Sequence, residues 1–207
     1  MPLPSHSLAL HRATGGLDHC QAMNVDMPRL LLVSGSTRNG STNTAALKTL
    51  RALAAARDVE ATLFAEMTRV PHFNPDDDGD CLAPAVEELG WAIGDAHAVV
   101  FCTPEYAGAL PGSFKNLLDW TVGGGEMYAK PVAWINASGL PTGAADAHAS
   151  LRKVLGYLSA EIVEDACVHV PVPRPAVGDD GLIGDPRLRA RIADALTTLA
   201  GRSTHAR

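Results

Sequence analysis

Residues 30–43 read Leu30-Leu31-Leu32-Val33-Ser34-Gly35-Ser36-Thr37-Arg38-Asn39-Gly40-Ser41-Thr42-Asn43. Four consecutive apolar residues without alternation describe a strand buried on both faces, and Ser34-Gly35 ends it. Small and hydroxyl residues with one arginine follow, and Asn43 offers an N-cap. Beyond it Ala46, Leu47, Leu50, Leu53 and Ala54 form the apolar stripe of a helix. A buried strand, a short polar loop and an amphipathic helix, in that order, open an α/β fold.

The rest of the chain repeats the pattern. Apolar residues at 59, 61 and 63 mark a weaker strand over Val59 to Phe64, and a Pro- and Asp-rich loop runs from Pro71 to Ala83. Pro84 suits the first turn of a helix carrying Val86, Leu89 and Ile93. Ala98-Val99-Val100-Phe101-Cys102 is the clearest strand, stopped by Thr103-Pro104. A helix over Ser113 to Thr121 precedes the glycine run Gly123 to Gly125, and Val132 to Ile135 is a further buried strand. Ala144 to Ala160 reads as helical and Ile162 to Val172 as mostly extended. Asp185-Pro186 opens a last helix with Leu188, Ile192, Leu196 and Leu199 on one face and Gly201 closing it.

Five buried strands alternating with five helices predict a parallel sheet covered on both sides, an α/β sandwich, with no repeat and no second domain. A single domain is expected over 28–201, with residues 1–27 a disordered extension and 202–207 a tail. In such sheets ligands sit beyond the C-terminal strand ends, near the switch in strand order, so the loops after strands one, three and four hold the chemistry.

Composition removes several classes of function. The 207 residues are 46% hydrophobic, with 17 Lys+Arg against 23 Asp+Glu and a net charge of −6. That balance argues against nucleic acid as a partner, since a phosphate backbone rewards clustered Lys and Arg. No apolar run approaches the roughly 18 to 20 residues that span a bilayer. The stretch before Met27 lacks the basic start and apolar core of a secretory signal, so a cytoplasmic location is expected. Cys20, Cys81, Cys102 and Cys167 form no C-x-x-C pair, and the eight histidines offer no zinc-ligand spacing, so neither a disulfide framework nor a metal site is expected. Asp76-Asp77-Asp78-Gly79-Asp80 lacks the alternating ligands and terminal Glu of a calcium loop and reads as solvated.

The loop after strand one suits an anion, because free helix amides and the positive helix end point outward. Arg38 can fork two N–H groups onto phosphate oxygens, and Gly40 lets backbone come close. It is neither a Walker A loop, since Ser41 stands where lysine belongs, nor a dinucleotide loop, since position 37 is threonine. A phosphatase loop needs a cysteine and a receiver domain an acidic cluster, and neither is present there. The second loop, Thr103-Pro104-Glu105-Tyr106-Ala107-Gly108-Ala109-Leu110-Pro111-Gly112, is short of charge and suits a flat heterocycle, with Tyr106 lying against it. The third, Ser138-Gly139-Leu140-Pro141-Thr142-Gly143, again joins small residues to a helix start. Together they make a pocket for a phosphorylated planar ligand.

At these loops the chain resembles the NADPH-dependent FMN reductases, a branch of the flavodoxin-like fold. Gly35 to Asn43 resembles that family's G-S-x-R-x-x-S-x-N phosphate loop, and Pro104 to Trp120 its P-E-Y-N-x-x-x-P-G-x-L-K-N-x-x-D-W signature. The resemblance runs from about Arg29 to Val172 and implies a three-layer α/β/α sandwich with a five-stranded parallel sheet in the order 2-1-3-4-5. It implies that Ser36, Arg38, Ser41 and Asn43 bind the FMN phosphate with Thr42 nearby. Pro104, Glu105, Tyr106, Ala107 and Gly108 then line the isoalloxazine, and Ser138 and Gly139 close its other side. Two departures stand out. Ala107 replaces the usual asparagine and removes a side-chain hydrogen bond, and Phe114 replaces an aliphatic residue.

The resemblance further implies hydride transfer from NADPH or NADH to bound FMN. The second substrate is then a small acceptor: a quinone, an azo compound, a metal oxyanion or free flavin. No side chain need act as acid or base. A homodimer or homotetramer is implied, with Trp120 and Gly123 to Met127 as the contact, and Arg38 with the Pro71 to Ala83 loop near the nicotinamide. Two alternatives are a flavodoxin-like electron carrier and a cofactor-free binding or regulatory module. Arg38 and the open Pro104 to Gly108 loop lean against the first, and the three intact loops against the second.

Overall fold

The computed structural model describes residues 27–203 except 80 and 141. The expected extension before Met27, the pair His19-Cys20, Asp80, Pro141 and residues 204–207 lie outside the described residues. Strand β1 (Arg29–Ser34) is followed by α1 (Thr42–Ala55), β2 (Glu60–Leu63), α2 (Pro84–Asp95), β3 (Ala98–Cys102) and α3 (Gly112–Asp119). Then come β4 (Pro131–Asn136), α4 (Ala145–Tyr157), β5 (Glu161–Ile162), β6 (Val168–His169) and α5 (Pro186–Ser203). All strand pairs are parallel, in the order β2-β1-β3-β4-β5, as the resemblance implied.

Continuous apolar strands bury both faces, and the two faces make two cores. Leu31, Val33, Val99, Phe101, Val132 and Trp134 face α2, α3 and α4. Leu30, Leu32, Ala98, Val100, Ala133 and Ile135 face α1 and α5. The α1 stripe behaves as read: Ala46, Leu47, Leu50 and Ala54 are fully buried and Leu53 half-buried. Each such leucine contributes about 1.5–3 kcal/mol by leaving water.

Three expectations change. The extended segment after α4 is not one strand but two short ones, β5 and β6, both paired to β4, so the sheet has six strands. Between the registers Val132↔Ile162 and Ile135↔Val168, a 3-10 turn over Glu164–Ala166 inserts extra residues and breaks the ladder. The cap of α1 is Ser41, whose Oγ accepts from Asn43 N at 3.2 Å, while Asn43 lies inside the first turn. Gly201 does not close α5, which continues to Ser203 because Leu196 and Leu199 remain buried. Asp185 does open it, accepting from Arg187 N at 2.8 Å and Leu188 N at 3.2 Å.

Candidate active site

Parallel strands bring the loops after β1, β3 and β4 to one end of the sheet. The first two meet through backbone: Gly35 N donates to Cys102 O at 2.8 Å. Gly35 is required there, since a Cβ would stand 2.3 Å from Thr103 Oγ1 and 3.0 Å from the Phe114 ring. Phe114 itself is fully buried against Phe101 at 5.8 Å between centroids, so its departure from an aliphatic residue is taken up in the core.

In the first loop the predicted residues divide. Arg38 is exposed, Ser36 and Thr42 half-exposed, and Ser41 and Asn43 buried. Arg38 Nη2 makes one contact, to Gly40 O at 3.4 Å, which leaves most of its donors for a ligand. The Asn43 amide is engaged by the protein: Oδ1 accepts from Cys102 Sγ at 3.3 Å and Nδ2 approaches Ser41 Oγ at 3.5 Å. Burial raises the Cys102 thiol well above its ordinary range, so it stays protonated and behaves as the buried hydrophobe the sequence implied. The first turn of α1 carries no acidic residue, so no carboxylate competes with an anion there, although the Asn43 backbone amide is already taken by Ser41 Oγ. This donor set fits the FMN phosphate.

In the second loop Tyr106 and Ala109 exchange backbone hydrogen bonds at 3.0 and 3.1 Å across a two-residue turn. Its central residues have positive φ, 51° at Ala107 and 71° at Gly108, as in a type I′ turn. Asn-Gly is the preferred pair for that geometry, so the family's asparagine has a conformational use beyond its side-chain hydrogen bond. Ala107→Asn is expected to stabilise the protein by about 0.5–1 kcal/mol, read as a higher urea midpoint; a lower midpoint would show that the turn does not govern this position. Tyr106 is exposed, and Pro104 is half-buried at the loop root. The Glu105 side chain points elsewhere: Oε2 accepts from Asp146 N at 2.9 Å and Ala147 N at 3.0 Å at the start of α4.

The third loop is clamped by Asn136, which the sequence reading did not single out. Its Oδ1 accepts from Ser138 N at 3.0 Å and its Nδ2 donates to Gly143 O at 3.1 Å. Ser138 is half-buried, with its carbonyl 2.9 Å from His169 Nε2, and Gly139 is exposed. Behind the loop, His148 is buried. Its Nδ1 lies 2.5 Å from Ala144 O and must donate there, so the unprotonated Nε2 has no partner among the described residues. Burial lowers its pKa, with Ala144 O and then Glu105 opposing weakly. Because the fold favours neutral imidazole, His148 contributes stability that is complete above the unfolded value near 6.5 and is lost as pH falls through it. His148→Gln should flatten the decline of Tm as pH falls below about 6.5; an unchanged decline would assign it to other groups.

The second motif also holds structure away from the loops. Asn116 Nδ2 and Trp120 Nε1 both donate to Pro71 O, at 2.7 and 2.9 Å, and Phe73 meets Trp120 edge-on at 5.0 Å. Trp120 and Met127 are therefore buried within the chain rather than free for a subunit contact. Beside them lies a cavity of about 900 Å³ between α2 and the glycine run, lined by Trp91, Gly123 and Glu126 among others. It is outside the three loops. Among the described residues no group of His, Cys, Asp and Glu is placed to hold a metal, and no helix is long and apolar enough to cross a membrane.

A parallel sheet in this order, with a phosphate-type loop before α1 and an uncharged turn after β3, defines a flavodoxin-like flavoprotein. The family model for NADPH-dependent FMN reductase matches residues 28–172. An NAD(P)H-dependent FMN reductase of Pseudomonas aeruginosa is 31% identical over 173 residues, 83% of this chain and 92% of that one. A quinone reductase of Escherichia coli K12 is 31% identical over 138 residues, 65% of this chain and 73% of that one. The solved structure of a flavoenzyme NAD(P)H:(acceptor) oxidoreductase from Paracoccus denitrificans superposes with a TM-score of 0.75 at 27% identity, covering 85% of this chain and 97% of that one. The chain belongs to the NADPH-dependent FMN reductase family. It is an oxidoreductase with FMN as cofactor and NAD(P)H as hydride donor.

Proposed function

We propose that the three loops hold FMN in a defined way and that reducing equivalents pass to a planar small acceptor of the quinone or azo type. Arg38, Ser36 and Thr42 meet the phosphate directly, with the Ser41 and Asn43 side chains shaping the loop behind them. Residues 104–108 follow one side of the ring, chiefly through backbone and Tyr106, and Ser138 with Gly139 bounds the other. The observation that carries this reading is the contrast at the sheet end. The loop roots are fixed by Gly35, Asn136 and Glu105, whereas the exposed rim is apolar, with Tyr106 56% and Leu140 68% exposed. A flat, weakly charged acceptor suits such a rim better than a metal oxyanion does.

When bound, FMN supplies the two-electron chemistry by accepting hydride from NAD(P)H and giving it up to the acceptor. The chain contributes placement: Arg38 neutralises the phosphate, and the turn at Ala107-Gly108 presents backbone donors and acceptors. The Glu105 carboxylate is taken by the start of α4 and is not free for acid or base work. A cytoplasmic location, where NAD(P)H is available, belongs to the same reading.

The test is an anaerobic absorbance titration. FMN-loaded protein should bleach with NADPH and recover on adding a benzoquinone or an azo dye. Bound flavin that fails to bleach with NADPH or NADH would mark a carrier, and an absence of FMN binding would remove the reading.

A homodimer or homotetramer is the further part of this proposal. Trp91 on α2, which lines the 900 Å³ cavity, is 80% exposed, and Val122, next in sequence to the glycine run, 64%. Exposed aromatics of this kind mark association surfaces. Trp91→Glu is expected to lower the mass seen by light scattering to that of the monomer; an unchanged oligomer would place the contact elsewhere.

A further inference from the structure

Helix α4 starts without a cap of its own. Its N-cap residue, Ala144, is in the left-handed region at φ 60° and makes no side-chain capping bond. The leading amides of a helix need acceptors, and here they come from a loop 41 and 42 residues earlier, through the two bonds to Glu105 Oε2. A carboxylate at a helix N-terminus also gains from the helix dipole, so both bonds are charge-assisted.

The strands on either side make this contact decisive for loop spacing. The β3–β4 ladder ends at Phe101↔Trp134. Beyond that pair, no backbone hydrogen bond among the described residues joins the loop after β3 to the loop after β4. Glu105 is the side chain that crosses the gap, and it is rooted between Pro104 and the Tyr106–Ala109 turn. Nearer the sheet, the Cys102 thiol meets the Ala137 backbone, so farther out the spacing of the two loops leans on this carboxylate.

We infer that Glu105 is a positioning residue for the flavin: its side chain is a strut that fixes the gap in which the ring is held, and the carboxylate itself does not touch the ring. The inference rests on the FMN reading above. Its chemistry separates the variants. Glutamine keeps the length and an amide oxygen that accepts from both N–H groups, losing only the charge. Aspartate keeps the charge but falls one methylene short. Alanine has no acceptor.

The experiment has two readouts, flavin binding (the FMN dissociation constant from fluorescence, with the visible flavin band) and amide hydrogen exchange at Asp146 and Ala147 in the flavin-free protein. Glu105→Ala should bind FMN about tenfold more weakly, consistent with losing charged hydrogen bonds, with faster exchange at both amides and a blurred visible flavin band. Glu105→Gln should stay within about threefold of the parent with exchange still slow, and Glu105→Asp should behave like the alanine variant. Should Glu105→Ala not fold, the order of Gln above Asp carries the test alone.

Faster exchange with unchanged FMN affinity and spectrum would make Glu105 an ordinary helix cap and overturn the inference. Glutamine as damaging as alanine, with exchange still slow, would mean that the carboxylate touches the flavin, which also overturns it. So would an alanine variant that changes neither readout. Failure of the parent protein to bind FMN would instead remove the flavin reading itself, and that outcome is distinguishable because it appears before any substitution is made.

Discussion

Gly35→Ala is expected to destabilise the protein by about 2–3 kcal/mol, the upper range for overpacking a rigid site. The added methyl carbon would stand 2.3 Å from Thr103 Oγ1 and 2.6 Å from Thr103 Cβ, far inside contact distance. Neither neighbour can yield. Thr103 is 1% exposed, β-branched, and donates from Oγ1 to Pro104 O at 3.1 Å, while Phe114 is fully buried behind it. The backbone must move instead, and the hydrogen bond from Gly35 N to Cys102 O is the first to stretch. Because that bond joins the first two site loops, FMN affinity should fall along with stability. Urea unfolding reads the effect, and Thr103→Gly in the same chain should recover part of the loss. A midpoint equal to the parent's would mean that the two loops separate at little cost.

Arg38→Ala should act on binding alone. Losing a charge-assisted phosphate contact costs about 1.5–3 kcal/mol, a drop in FMN affinity of roughly 10- to 150-fold. Stability should hardly change, since the side chain is exposed and its guanidinium makes only a long contact, to Gly40 O at 3.4 Å, among the described residues. Riboflavin supplies the control because it lacks the phosphate: its affinity should be the same for both proteins. Equal FMN affinity would remove Arg38 from the phosphate site, and a parallel loss for riboflavin would place the guanidinium at the ring.

Much of this site could be read in order along the chain. Ala98 to Cys102 is a strand at the predicted residues, and Pro84 opens its helix where expected, because a buried run and a proline at a first turn are local signals. The loop before α1 was legible for the same reason, as hydroxyls, arginine and glycine in a row before a helix that starts at Thr42.

What failed was anything dependent on which way a side chain turns. Asn43 looked like a cap and ligand contact, yet its amide faces Cys102, 59 residues away. Trp120 looked like a subunit contact but serves Pro71. Asn136 and Gly35 drew little notice as clamps, since Asn136 reads as a strand end and Gly35 as an ordinary turn glycine. The fifth strand looked continuous because apolar residues recur through Ile162 to Val172, and no propensity marks the 3-10 turn that splits it.

The chain by itself determined the alternation of strands and helices, the parallel sheet, and the flavin family. Each of these follows from apolar period, turn residues and motifs within a few positions of one another. Tertiary structure decided which loop holds which: Glu105 on α4, Asn136 across its own loop, Thr103 against Gly35. Those pairings depend on strand register and on how far adjacent loops diverge past the last ladder pair, and both are settled only when distant segments pack.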